Sequence, residues 1–344
     1  ADMVHLGRYL RIDDNPILEE AAARQERMLP VFALDPSERR GRAQEAFLMS
    51  ALAQMQQELR ARGSDLLVVH EPPPAEVADR YTSPMQMIPD EDLPFDAAKM
   101  PKTYTPFRQE IERHGLRYTR PRDPLQTLPP IPEGVTCPTL PMPTTPTAEE
   151  HWHQYRERRL PDTYKQTRNG LLHADDSSRL SPWLAWGCIS PRRVADDLRV
   201  YEERYGANEG TYWLWFELLW RDFFSLRAEH RGVLLDNVNV DLSDVGHPFV
   251  NAGLRELTET GFMSNRMRQI VASYCIYEAN IPWQVGAAYF AEHLIDHDPA
   301  SNIGNWKYIA GTGADPRGGR RFNIEKQREM YDADGAYLQR WGGR

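Results

Sequence analysis

Residues 294–308 read Leu294-Ile-Asp-His-Asp-Pro-Ala-Ser-Asn-Ile-Gly-Asn-Trp-Lys-Tyr308. Two carboxylates (Asp296, Asp298), an amide (Asn302) and two aromatics (Trp306, Tyr308) fall together at a spacing that suits no ordinary surface helix. A solvated loop would explain the Asp and Asn residues, but not the Trp and Tyr interleaved with them. Upstream, a second polar island, Ser264-Asn265-Arg266-Met267-Arg268-Gln269, interrupts an apolar run. Together the two stretches read as the lining of a polar, aromatic-walled cofactor cavity.

Working outward, all nine tryptophans lie after residue 150, so the chain has two unlike halves. In the first, residues 28–34 and 66–70 read as buried strands, and 43–62 as a helix with Phe47, Leu48, Leu52, Met55 and Leu59 on one face. Strands alternating with helices imply a parallel sheet with helical cover. Residues 121–146 hold nine prolines and predict an extended connector. Beyond it, residues 191–205, 211–227, 265–278 and 285–294 carry apolar residues at three-to-four spacing, so the second half is expected to be all-helical. The expected division is an α/β domain over 1–120, a connector over 121–160 and a helical domain over 161–344.

At 344 residues the chain is long enough for two domains. It contains no run of about 18 apolar residues, so nothing is expected to span a membrane. The start does not read as a signal peptide, and the cytoplasm is the expected compartment. Cys137, Cys188 and Cys275 stand far apart, which argues against disulfides or zinc, and no metal is expected. A net charge of −9 argues weakly against nucleic acid. Basic residues cluster, however, at Lys165–Arg193, at Arg266 and Arg268, and at Arg317–Lys326, so an acidic protein with a locally basic cleft is consistent.

Ser177-Ser-Arg-Leu-Ser-Pro182 precedes a helical pattern with two tryptophans. Its hydroxyls and arginine at a helix start can act as plain caps or as a phosphate cradle. There is no Gly-x-Gly-x-x-Gly or Walker loop, which argues against a Rossmann or P-loop site. Glu217 and Arg221 stand four apart in Trp213-Leu-Trp-Phe-Glu-Leu-Leu-Trp-Arg-Asp-Phe-Phe224, on the face that carries Trp213 and Trp220. The surroundings are too aromatic for a solvated salt bridge, and a buried charge needs a partner or a ligand.

Five stretches in order, 164–170 (Tyr-Lys-Gln-Thr-Arg-Asn-Gly), 177–190, 213–224, 260–269 and 294–308, resemble the photolyase/cryptochrome family, most nearly its DASH-type cryptochromes. The resemblance continues in 322–327 and 331–335 and, more thinly, in Leu10-Arg-Ile-Asp-Asp-Asn-Pro16. It implies a photolyase-like fold: an α/β N-terminal domain with a short parallel sheet, and an all-helical C-terminal FAD-binding domain. By the same resemblance, Tyr164, Ser177, Ser178, Leu180 and Ser181 would hold the phosphates and ribityl chain of FAD. Glu217 and Arg221 would face adenine and lesion, Arg268 and Asp296 would pair beside the flavin ring, and Asp298 would meet its polar edge. Asn302 would lie opposite flavin N5. Glu217, Trp220, Asn265, Gln269 and Tyr308 match lesion-pocket positions, and Trp306 and Trp283 match the inner and middle members of an electron-transfer chain.

The implied activity is light-dependent splitting of cyclobutane pyrimidine dimers in DNA by a monomer, with an electron from excited reduced FAD. The alternative is a cryptochrome photoreceptor without repair; the intact Glu217/Asn265/Trp220 set and the absence of residues beyond Arg344 favour repair. A plain FAD oxidoreductase would need a nicotinamide site, and none is found. The (6-4) enzymes rely on pocket histidines, and only His293 and His297 are near. Two departures stand out. Between about Glu76 and Leu93 the family's further strand-and-helix pass has no counterpart, so an antenna chromophore is not expected. No tryptophan lies between Trp220 and Trp283 to serve as the outer electron carrier, although Tyr274 or Tyr277 could substitute.

Overall fold

The computed structural model describes residues 3–235 and 239–342. Its sheet has three strands, β1 (Met3–His5), β2 (Leu29–Ala33) and β3 (Leu67–Val69), in that spatial order and all parallel, with Val4 opposite Pro30 and Val31 opposite Leu67. All five residues of the central strand β2 are buried, as a parallel strand covered on both faces requires. The crossovers are α1 (Pro16–Arg24), begun by the Asn15 side chain capping the amides of Ile17 and Leu18, and α2 (Arg42–Arg60), whose Phe47, Leu48, Leu52, Met55 and Leu59 are buried. Among the described residues no strand follows β3. From Ala75 to Lys99 the chain makes short turns and one four-residue helix, α3 (Asp79–Thr82), so the missing strand-and-helix pass is missing in three dimensions too.

After α4 (Tyr104–Arg113) the proline-rich run is extended as far as Pro146. The stretch expected as connector nevertheless ends in a helix, α5 (Ala148–Glu157), started by a Thr147–Glu150 capping box. The rest is helical: α6 (Tyr164–Thr167), α7 (Ser181–Trp186), α8 (Pro191–Tyr205), α9 (Glu209–Arg227), α10 (Pro248–Thr260), α11 (Asn265–Tyr277), α12 (Trp283–His293), α13 (Pro299–Ala310), α14 (Ile324–Tyr331) and α15 (Ala336–Trp341). The opening stretch, read as unlike an ordinary surface helix, is a loop as far as Asp298 and a buried helix beyond it. That residue caps α13, Pro299 sits at its first position, and Ala300, Ile303 and Trp306 are buried. Asp296 and Asp298 thus lie in the loop before α13, while Asn302 lies on a helix packed inside the domain, where an amphipathic surface pattern is not required.

The halves are joined by buried charge. Arg8 donates to the carbonyls of Tyr81, Ala185 and His297, and Arg11 to that of Gly187. Asp14, fully buried, accepts two bonds from Arg192 (2.9 and 2.6 Å) and one from Ser190. The Leu10–Pro16 motif is thus an inter-half clamp, in which Asp13 pairs with Arg193, Asp14 with Arg192, and Arg11 donates to carbonyl oxygens. Gly187 (φ 71°) permits the approach: a Cβ there would lie 1.8 Å from the Arg8 carbonyl oxygen.

Candidate active site

A cavity of about 630 Å3 opens between α6, α7, α9, α11 and α13, and an adjoining pocket of about 90 Å3 runs inward from it. Tyr164, Ser177, Ser178, Leu180, Ser181, Glu217, Trp220, Arg221, Asn265, Arg268, Gln269, Asp296, Asp298 and Tyr308 all line the larger space. Asn302 and Trp306 line the inner one. Trp283 lines neither; it begins α12, with the Lys307 ammonium 5.7 Å from its ring centre.

Arg268 and Asp296 form the site's tightest pair. The guanidinium donates to both carboxylate oxygens (3.0 and 2.7 Å) and to the Met263 carbonyl. The Asp296 side chain is 2% exposed, so only this geometry makes its charge tolerable. Ser181 adds a third donor, its hydroxyl 2.6 Å from Asp296. That hydroxyl was expected in a phosphate cradle, and α7, at six residues, is a short anchor beside it. Asp298 caps α13 through the Ala300 amide and accepts the Ser301 hydroxyl. Asn302 donates from its amide to the Ala287 carbonyl (2.9 Å), which fixes its orientation. Trp306 is held edge-on to Phe290 and over Gly286, where a Cβ would lie 2.1 Å from the indole.

On the opposite wall, Glu217 and Arg221 share a face of α9 but do not pair. Glu217 bonds Arg168 (2.9 Å), whose guanidinium lies 4.3 Å from the Trp213 ring centre. Arg221 donates instead to the Met85 and Leu184 carbonyls. Spacing alone could not distinguish these outcomes, because both partners come from segments remote in sequence. Burial pushes the Glu217 carboxyl above its ordinary pKa, against the pull of Arg168. Its remaining exposure is to the cavity. Trp220 and Tyr308 stand perpendicular, 5.8 Å apart at 87°, and Arg320 donates to the Tyr308 hydroxyl (2.6 Å). Arg168, Arg320 and Tyr104, which stacks on Trp220, were not among the expected site residues. Arg168 and Arg320 carried a signal as members of the basic clusters, and Arg168 also lies one helical turn after Tyr164; Tyr104 carried none.

The donor set suits a large anionic ligand with a flat ring. The volume is that of an ordinary cofactor pocket. The Arg179 guanidinium rests 4.3 Å from the Phe262 ring centre, with no hydrogen-bond partner among the described residues, beside the hydroxyls of Ser177 and Ser178. An unpaired, half-buried cation on a cavity wall is where a phosphate fits.

Residues 4–86 match the DNA photolyase family, and residues 241–342 match the FAD binding domain of DNA photolyase. Cryptochrome DASH of Idiomarina loihiensis is 33% identical, over 97% of this chain and 91% of its own length. The chain belongs to the photolyase/cryptochrome family. A Synechocystis cryptochrome structure superposes with a TM-score of 0.87 at 30% identity, covering 98% of this chain and 88% of that one. A class III photolyase from Agrobacterium tumefaciens gives 0.77 at 25%, covering 98% and 86%. Residues 241–342 therefore belong to an FAD-binding domain, and the fold is that of the photolyases and cryptochromes. The alignment with the Idiomarina relative spans 415 positions against 344 residues here, so that relative carries segments this chain lacks. Among the described residues no helix is long and apolar enough to cross a membrane.

Proposed function

We propose that the protein is a light-dependent DNA photolyase that splits cyclobutane pyrimidine dimers. The observation that carries this reading is the corner made by Trp220 and Tyr308 at 87°, with Glu217, Asn265 and Gln269 lining the same cavity. A pyrimidine dimer presents two flat faces inclined to one another, and it must leave the base stack to be reached. Two perpendicular aromatic walls can each take one face, with about 1–3 kcal/mol per stacked base. The amides of Asn265 and Gln269 can meet carbonyl and imide edges, and a carboxyl at Glu217 can donate to one of them when protonated.

Arg179, Ser177, Ser178 and Tyr164 would hold the phosphate and ribityl part of FAD, with Leu180 as apolar floor, while Arg268–Asp296 and Asn302 would border its ring. When bound and reduced, FAD supplies on illumination the electron that opens the dimer ring and recovers it afterwards. Arg268 keeps a fixed positive charge next to that pocket, and Asn302 offers an amide rather than an acid, so neither residue delivers a proton. Trp283 and Trp306 would carry electrons inward. Neither His293 nor His297 borders the cavity; His173 does, beside Asp176 and Ser177, which favours cyclobutane over (6-4) lesions.

The second reading, a blue-light photoreceptor without repair, is favoured by the name cryptochrome DASH carried by the Idiomarina relative. The two readings separate in the dark. A photolyase should bind a dimer-containing oligonucleotide at least tenfold more tightly than its undamaged match, in single or double strands, whereas equal affinities leave the photoreceptor reading.

A further inference from the structure

Trp220 has one face covered. Tyr104, from α4 in the N-terminal half, lies flat against it with ring centres 3.9 Å apart and planes 7° from parallel. The hydroxyl of Tyr104 donates to the Phe216 carbonyl (2.7 Å), one helical turn before Trp220 on α9. The rings of Phe223 and Tyr308 stand perpendicular to the indole, at 88° and 87°, and that of Phe224 is tilted 32° from it with ring centres 5.3 Å apart. The indole is thus backed by Tyr104 and flanked by Phe223, Phe224 and Tyr308, and it still lines the cavity.

We propose that Tyr104 is a positioning residue for the lesion pocket: it fixes the plane in which Trp220 meets the base. The argument rests on the proposed stacking of a base on Trp220, and it adds a contribution from the N-terminal half to a pocket otherwise built by the helical half. Its physical basis is preorganisation. A ring free to tilt would lose that freedom on binding, and a ring already clamped would not. Tyr104 is itself well supported, since it is 4% exposed and Phe107, on the next turn, packs against Phe223. Burial raises the pKa of its hydroxyl, so that group stays a donor.

The test uses the FAD-loaded full chain and a thymine-dimer oligonucleotide beside its undamaged match, both titrated in the dark. Tyr104→Leu keeps an apolar side chain but removes the flat ring. It should weaken dimer binding about 2- to 12-fold, the range expected for one aromatic pair, with undamaged DNA binding unchanged. Tyr104→Phe keeps the ring and should stay within about twofold of the wild type, on the same range for a retained pair. If Tyr104→Leu only lowers the melting temperature and leaves the dimer-to-undamaged ratio intact, Tyr104 is core packing and the proposal is overturned. Trp220→Ala separates the two claims: a lost ratio there with an unchanged one in Tyr104→Leu overturns the positioning role alone. An unchanged ratio in Trp220→Ala overturns the stacking on which both rest.

Discussion

Arg268→Met and Asp296→Asn remove the two ends of one ion pair, yet the structure predicts unequal costs. Asp296 is 2% exposed at its side chain and takes two of its three donors from Arg268. Replacing Arg268 leaves a buried carboxylate with one serine hydroxyl and no counter-charge, a loss of about 3–5 kcal/mol. Replacing Asp296 leaves an arginine that is 23% exposed to the cavity and still bonded to the Met263 carbonyl, so the charge can hydrate; losing the charged hydrogen bonds should cost about 1–3 kcal/mol. The expected gap is about 2 kcal/mol, with arginine removal the worse. Urea unfolding followed by tryptophan fluorescence would measure it, with m-values compared to check that the unfolding reaction is unchanged. If Asp296→Asn costs as much or more, or both cost under about 1 kcal/mol, the pair is not the buried linchpin described.

Glu217→Gln should reduce the quantum yield of dimer splitting more than dimer affinity. The dimer is uncharged at its base edges until it accepts an electron, so a protonated carboxyl benefits mainly the reactive state. About 2.7–4 kcal/mol is an upper bound because an amide donor remains. Equal losses in yield and affinity would make Glu217 a binding residue only. Glu256, 5% exposed, is pushed up to about 7 by burial against the pull of Tyr337, Arg179, Arg268 and Arg340. From the ordinary glutamate value up to about 7, the native state therefore holds a proton that the unfolded chain has lost. Stability should fall as pH rises through that window and level off above it. Glu256→Gln should flatten the slope, and an unaltered stability–pH profile would reject the assignment. Denaturing release followed by chromatography should yield FAD without stoichiometric folate or deazaflavin; either of these in equal amount would show an antenna site despite the short sheet.

The long helices were legible because burial on one face imposes a period. Residues 191–205 match α8, and 211–227 fall within α9. Likewise β2 and β3 fall within the two apolar runs. β1 was not legible, since three residues carry no period and the strand exists only through its pairing with β2. α13 carries no surface-helix period, and Pro299, Gly304 and two asparagines are poor helix formers whose cost is met by the Asp298 cap and by packing, so its helical state was not legible. At the site, residue types were legible and partners were not. Arg268 finds Asp296 across 28 residues and Glu217 finds Arg168 across 49, while the Tyr104–Trp220 stack joins the two halves; such pairings depend on how helices cross.

The central claim is chemical and has a direct measurement. A single-stranded oligonucleotide with one thymine dimer, incubated with the reduced protein, would be analysed by chromatography after equal times in darkness and under blue light. The account predicts that intact thymines reappear only under light, in many turnovers per bound FAD. Dimer that persists under light, with FAD bound and the oligonucleotide in complex, would contradict it.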